Sequence, residues 1–175
     1  MNSLVLWITG LPGSGKSTLA EAIRNFYPDF VILRMDTLRQ VVTPNPTFSE
    51  SERDIVYRSL IYVARLLSEL GHNVVIDATG NRRKWRELAR QFITNFAEIY
   101  LKCSLEICEK RETLRGETFG APSNIYQKGR MGWPVPGLQV PYEEPVNSEL
   151  VIETDNLSLQ ESWSIIQPFI ARRLT

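Results

Sequence analysis

Histidine and cysteine are scarce in this 175-residue chain, which holds one of the first and two of the second. Two cysteines make no disulfide framework, and the spacing of Cys103 and Cys108 in CSLEIC is not that of a metal site. Both read as buried or half-buried thiols of a reducing compartment. The lone His72 follows Gly71 at an expected helix end and carries no chemistry. No apolar run approaches the ~20 residues that a membrane span needs. The run Leu4 to Ile8 is too short for a signal sequence, so a cytoplasmic protein is expected. Excess charge is missing too. Twenty basic residues balance twenty acidic ones, where a nucleic-acid binder usually carries a basic surplus. Neither nucleic acid nor membrane is therefore an expected partner. There is no internal repeat and no low-complexity linker.

What remains is the composition of one ordinary domain over residues 1–175, with 43% hydrophobic residues for a core. Leu4 to Thr9, Phe30 to Leu33, Asn73 to Asp77, Glu98 to Lys102 and Leu150 to Glu153 read as strands, with helical patterns between them. That alternation predicts an α/β fold, a parallel sheet of about five strands with helices on both faces. The clearest helix opens on a capping-box signature, Ser49 with Glu52, and stops at Gly71. Arg53, Val56, Leu60, Val63, Leu67 and Leu70 share one face of it. Five are apolar. Arg53 is the exception, expected where the core ends and a cleft begins, unless it only snorkels to the surface. From about Leu114 to Pro145 the chain is rich in glycine and proline, including Gly116, with basic residues interleaved. So long an irregular stretch suggests a lid. A closing helix from Ser158 contains Pro168, which should kink or end it.

Gly10-Leu11-Pro12-Gly13-Ser14-Gly15-Lys16-Ser17 matches G-x-x-x-x-G-K-[ST] in full, between an apolar strand and a helical run from Ser17 to Phe26. The glycines let successive N–H groups turn inward around phosphates, and the helix N-terminus adds positive charge. Lys16 can reach the β- and γ-phosphates of ATP, and the Ser17 hydroxyl can ligate Mg²⁺. The expected architecture is therefore a P-loop NTPase, a three-layer α/β/α sandwich. Two acids compete for the second metal or base role. Asp77 ends Val74-Val75-Ile76 in the manner of a Walker B acid, and Asp36 follows the second strand with Arg39 close behind. Both belong at the carboxyl edge of the sheet, where open α/β folds bind ligands. Either can instead cap a helix. Arg111, Arg115, Lys128 and Arg130 lie in or near the lid segment, and at least one is expected to close over ATP.

These residues resemble the adenylyl-sulfate kinases, which phosphorylate the 3′-hydroxyl of adenosine 5′-phosphosulfate (APS). Beyond the P-loop, Asp36 and Arg39 match the end of the family's D-G-D-N-x-R segment. Phe48-Ser49-Glu50 and Arg53 match F-S-E…R, and Cys108 to Arg111 match C-E-x-R. Ile125 to Gly132 is similar to the lid, and Pro141-Tyr142-Glu143-Glu144-Pro145 to P-Y-E-x-P. The resemblance implies a kinase that moves the γ-phosphate of ATP to a small-molecule hydroxyl, with Mg²⁺. It implies ATP held by Gly10, Gly13, Ser14, Gly15, Lys16, Ser17, Thr18 and Arg111. Asp36, Arg39, Phe48, Arg53 and Lys128 would hold the acceptor, Lys16, Asp36 and Arg130 would serve catalysis, and Ser17 and Asp77 the metal. A homodimer is a further expectation.

The departures fall in the acceptor half. Arg34 and Met35 replace an acid and a glycine, Val56 replaces a substrate-contacting asparagine, and Asp77 to Asn81 replace the family's I-S-P segment. Val135 aligns with an aromatic that stacks on adenine, so Trp133 or Trp85 must supply that face if APS is bound. APS is the default acceptor. Another nucleotide-linked or sugar-like hydroxyl is the alternative, and a non-catalytic nucleotide switch a third reading.

Overall fold

The computed structural model describes residues 3–115 and 120–175. Gly116 of the glycine-rich segment thus lies outside the described residues. Five strands, β1 (Val5–Thr9), β2 (Phe30–Arg34), β3 (Asn73–Asp77), β4 (Phe96–Lys102) and β5 (Leu150–Glu153), pair in parallel in the order β2-β3-β1-β4-β5. The helices are α1 (Lys16–Phe26), α2 (Met35–Val42), α3 (Glu50–Glu69), α4 (Arg83–Phe92), α5 (Leu105–Thr113), α6 (Ile125–Arg130) and α7 (Leu159–Leu174). This is the P-loop NTPase architecture that the strand–helix alternation predicts.

Alternation along β1 divides the core. Leu4, Leu6 and Ile8 pack with Leu19 and Ile23 of α1 and Ile166 and Ile170 of α7. Val5 and Trp7 face the other way, onto Tyr57, Leu60 and Ala64 of α3 and Trp85 and Ala89 of α4. Both faces of every central strand are therefore buried, as parallel sheets require. Register then fixes the functional edge. Ile8 pairs with Asp77 on one side and Ile99 on the other, so the loop after β1 emerges between the ends of β3 and β4.

Several details differ from the sequence expectations for physical reasons. β4 begins at Phe96, two residues early, because Val5 pairs with Phe96 and Leu6 with Ala97. The Ser49 hydroxyl caps α3 by accepting from the Glu52 N–H at 3.3 Å. The Glu52 carboxylate does not complete the box; it turns to Thr47, Phe48 and Arg39 instead. The glycine-rich segment is not irregular throughout, since α6 and a Pro136–Val140 bridge order part of it. α7 does not end at Pro168 but runs on to Leu174.

A buried ion pair ties α4 to the sheet. Arg86 is fully buried, its Nε 2.5 Å from Glu98 on β4. Its two Nη groups donate to the carbonyls of Gly80 and Glu143, pinning the Pro141–Pro145 loop. Burial pushes the Glu98 carboxyl above its ordinary range, and Arg86 opposes the shift. Arg86→Met leaves Glu98 its longer 3.5 Å contact with Arg90 and removes the donor from the Gly80 and Glu143 carbonyls, so a loss of about 3–5 kcal/mol in urea-unfolding free energy is expected. Arg86→Met with Glu98→Leu should recover most of it. A single variant as stable as the unmodified protein would contradict this account of the pair.

Candidate active site

The loop after β1 curls because its glycines adopt backbone angles closed to other residues. Gly13 has φ +83°, and a Cβ there would strike the backbone of Cys108. Gly15 has φ +103° and opens α1. The loop is clipped from two sides. Tyr126 of α6 donates its hydroxyl to the Pro12 carbonyl at 2.6 Å, and Thr154, just past β5, donates to the Ser14 carbonyl at 3.4 Å. The Lys16 ammonium lies over the loop, 2.9 Å from the Leu11 carbonyl. Burial pulls its pKa down, and Asp77, Asp36 and Glu112 act against that shift.

A cavity of about 390 Å³ opens on this loop. Its lining includes Gly13, Gly15, Lys16, Ser17, Thr18 and Arg111, the acids Asp36 and Asp77, and Arg39, Phe48, Arg53, Tyr57 and Trp133. The two candidate acids thus face the same space. Asp77 completes β3, and Asp36 sits on the first turn of α2, which follows β2 without a loop. Enclosure in the cavity pushes the Asp36 carboxyl up, and the nearby charge of Asp77 adds to the shift. Arg34 pairs with Glu21 and lies 4.0 Å from Asp77. The positive charge at position 34 is thereby absorbed by two carboxylates.

Arg53 is 6% exposed and held by three acceptors: the Phe48 carbonyl at 3.0 Å, Asn81 Oδ1 at 3.3 Å and the Pro134 carbonyl at 2.6 Å. It does not snorkel. Phe48 has φ +56°, a strained conformation for a large residue. Its N–H donates to Glu52, and its carbonyl accepts from Arg53. The Arg39 guanidinium lies over the ring, 5.1 Å from its centroid, and Arg39 also pairs with Glu52 at 2.9 Å.

Other residues fall elsewhere. Val56 is fully buried in the core and lines no part of the cavity. Trp85 stacks on Tyr57 at 4.1 Å in the core, whereas Trp133 lines the cavity mouth against Phe48 at 5.5 Å. The Lys128 ammonium sits 5.1 Å from the Trp133 ring centroid. Arg130 is exposed, paired with Glu109 at 2.6 Å, and does not line the cavity. Gly10 and Ser14 are buried and do not line the cavity. Asn81, a bystander in the sequence, ties Arg53 to the Pro141 carbonyl through its side-chain amide. Nothing local marks it, because its partners lie 28 and 60 residues away.

Known proteins place this arrangement. The model of the adenylylsulphate kinase family matches residues 2–153. A probable adenylyl-sulfate kinase of Halalkalibacterium halodurans is 35% identical, covering 97% of this chain and 84% of its own. An adenylyl-sulfate kinase of Oceanobacillus iheyensis is 34% identical over 94% and 82%. The Mycobacterium tuberculosis APS kinase CysC, solved with AMPPNP and APS, superposes with a TM-score of 0.83 at 28% identity, covering 97% and 98% of the two chains.

A carboxylate must be ionised to accept a proton, so if Asp36 is the base its raised pKa places an acid limb on the rate. The value of kcat/KM for the hydroxyl substrate should climb with pH through a midpoint above the ordinary aspartate value of 3.8. Asp36→Asn should remove the limb and lower kcat by about 10²-fold or more. A profile flat down to the ordinary range, with near-normal turnover in Asp36→Asn, would demote Asp36 to a structural acid.

Proposed function

The chain belongs to the adenylylsulphate kinase family, and from that premise we propose that it transfers the γ-phosphoryl group of ATP to the 3′-hydroxyl of APS. One observation carries the reading: a single cavity joins a complete P-loop to a second wall of buried arginines and aromatic rings. A nucleotide switch needs the first and not the second.

The roles follow from position. The P-loop amides and Lys16 hold the β- and γ-phosphates, with Thr18 and Arg111 at the nucleoside end. Asp36 takes the proton of the acceptor hydroxyl. The hydroxyl oxygen bonds to the γ-phosphorus as the bond to the β,γ-bridging oxygen breaks, and that electron pair leaves on ADP. Arg39 and Arg53 supply cations for the anionic end of the acceptor. Phe48 and Trp133 offer aromatic faces for its base, with Lys128 at the rim. Trp133 thus takes the part that Val135 cannot.

Ser17 and Asp77 offer a hydroxyl and a carboxylate on the cavity wall. Among the described residues no group of three or more His, Cys, Asp or Glu side chains forms a cage. This donor set fits Mg²⁺, which keeps its waters and takes phosphate oxygens. Bound with ATP, the ion neutralises phosphate charge. The free thiols of Cys103 and Cys108 suit a reducing compartment such as the cytoplasm, and phosphorylation of APS would place the enzyme in sulfate assimilation. Exposed Ile55, Tyr62 and Leu66 on α3, with Leu70 just past its end and exposed instead of facing the core, support self-association as a homodimer.

ATP consumption should accelerate on adding APS. Trp133→Ala should raise the KM for APS about 10- to 100-fold, the equivalent of one stacked base, and leave the KM for ATP within a few-fold. Acceleration by a sugar-like alcohol and not by APS would move the acceptor class while keeping the chemistry. An unaltered KM in Trp133→Ala would remove the stacking role.

A further inference from the structure

The last turn of α5 brings a carboxylate into the cavity with little to hold it there. The Glu112 side chain is 2% exposed and lines the cavity. Its contact is Arg115, whose Nη2 lies 3.0 Å from Oε1. The contact is an ion pair and not a hydrogen bond: among the described residues Oε1, Oε2 and Arg115 Nη2 all lack a hydrogen-bond partner. A buried carboxylate so poorly satisfied costs stability. Packing therefore does not explain its presence, but the position of Arg115 does. Arg115 lines the same cavity as Lys16, Ser17 and Asp36, and its charge acts on Asp36.

The other cations near the cavity are engaged. Arg39 is held by Glu52 and Met35. Arg53 donates to three acceptors. Arg111 donates to Cys103 and to the Thr154–Asp155 backbone beyond β5. Arg130, the lid arginine of the sequence reading, is bound to Glu109 outside the cavity. Arg115 alone of these arginines is anchored by a carboxylate that itself faces the cavity from the nucleotide side. One end of its planar fork is paired with Glu112, and among the described residues no hydrogen bond engages its other donors, which can meet phosphoryl oxygens in pairs.

We propose that Arg115 is the catalytic arginine that meets the γ-phosphoryl group from the α5 side, and that Glu112 is the positioning residue that aims it. The inference rests on the phosphoryl transfer proposed above. Charge gathers on the non-bridging oxygens as the bond to ADP breaks, and Arg115 meets it while keeping its own protons.

The test compares Arg115→Ala, Arg115→Lys, Glu112→Gln and Arg130→Ala in the full chain. Two reactions are read: transfer to APS, and the slow hydrolysis of ATP without acceptor. Arg115→Ala should lower kcat by about 10²-fold or more with the KM for ATP within a few-fold. Guanidinium ion, added at millimolar concentration, should restore part of the loss. Arg115→Lys should fall between, having the charge without the fork. Glu112→Gln should lose about 10-fold in kcat and gain nothing from guanidinium, because the fork is present but unaimed. A folded Arg115→Ala protein with near-normal kcat, a loss that guanidinium leaves untouched, or a larger loss in Arg130→Ala would each overturn the proposal. Acceptor-free hydrolysis keeps the two readings apart. If the unmodified protein ignores APS yet hydrolysis falls in Arg115→Ala, the acceptor assignment fails and the arginine stands.

Discussion

Parallel pairing of β1 with both β3 and β4 is the constraint on which the site depends. It puts the end of β1 in the middle of the sheet, flanked by Asp77 at the end of β3 and by the start of the β4–α5 connection. The phosphate loop has nowhere to go but over the carboxyl edge. Lys16, Asp36, Asp77 and the adjacent pair Arg111 and Glu112 then converge from four separate stretches of the chain. The buried faces of β1 make this placement rigid, since slipping the register would turn Leu6 and Trp7 onto the wrong layers.

Two buried arginines extend that rigidity to the acceptor side. Arg86 joins α4, β4 and the Pro141–Pro145 loop, and Arg53 joins α3, the strained Phe48 and the Pro134 carbonyl. Asn81 connects the two systems by receiving Arg53 on its side chain and the Glu143 N–H on its carbonyl. Strain at Phe48 persists because its N–H and carbonyl are both engaged. The wall opposite the P-loop is thus tied to loop backbone at Phe48 and Pro134 by the Arg53 guanidinium.

This division explains what the sequence revealed. The P-loop was legible because its whole signal is local: the glycines, the lysine, and a strand and helix on either side. The strands were legible as apolar runs, and Arg53 as the one charge on an apolar helix face. Arg39, Phe48 and Trp133 were named from the resemblance, but what holds the wall opposite the P-loop in place was not legible, because it rests on contacts such as Arg53 to Pro134, which are 81 residues apart. Four basic residues near the lid looked alike in sequence. Folding separated them, sending Arg130 to Glu109 and Lys128 to Trp133, and placing Arg111 and Arg115 on the cavity wall, the first bound to the Thr154 carbonyl and the second paired with Glu112. Position 56 looked like a lost substrate contact and proved to be core.

The central claim is that one cavity passes a phosphoryl group directly between two bound molecules. The most direct measurement uses ATP labelled with ¹⁸O in the γ-phosphoryl group and follows the label by mass spectrometry in the presence of APS. The account predicts that the labelled non-bridging oxygens arrive on the acceptor, joined through the acceptor's own unlabelled oxygen, in step with ADP release. Label recovered only in inorganic phosphate, at a rate indifferent to the acceptor, would contradict it.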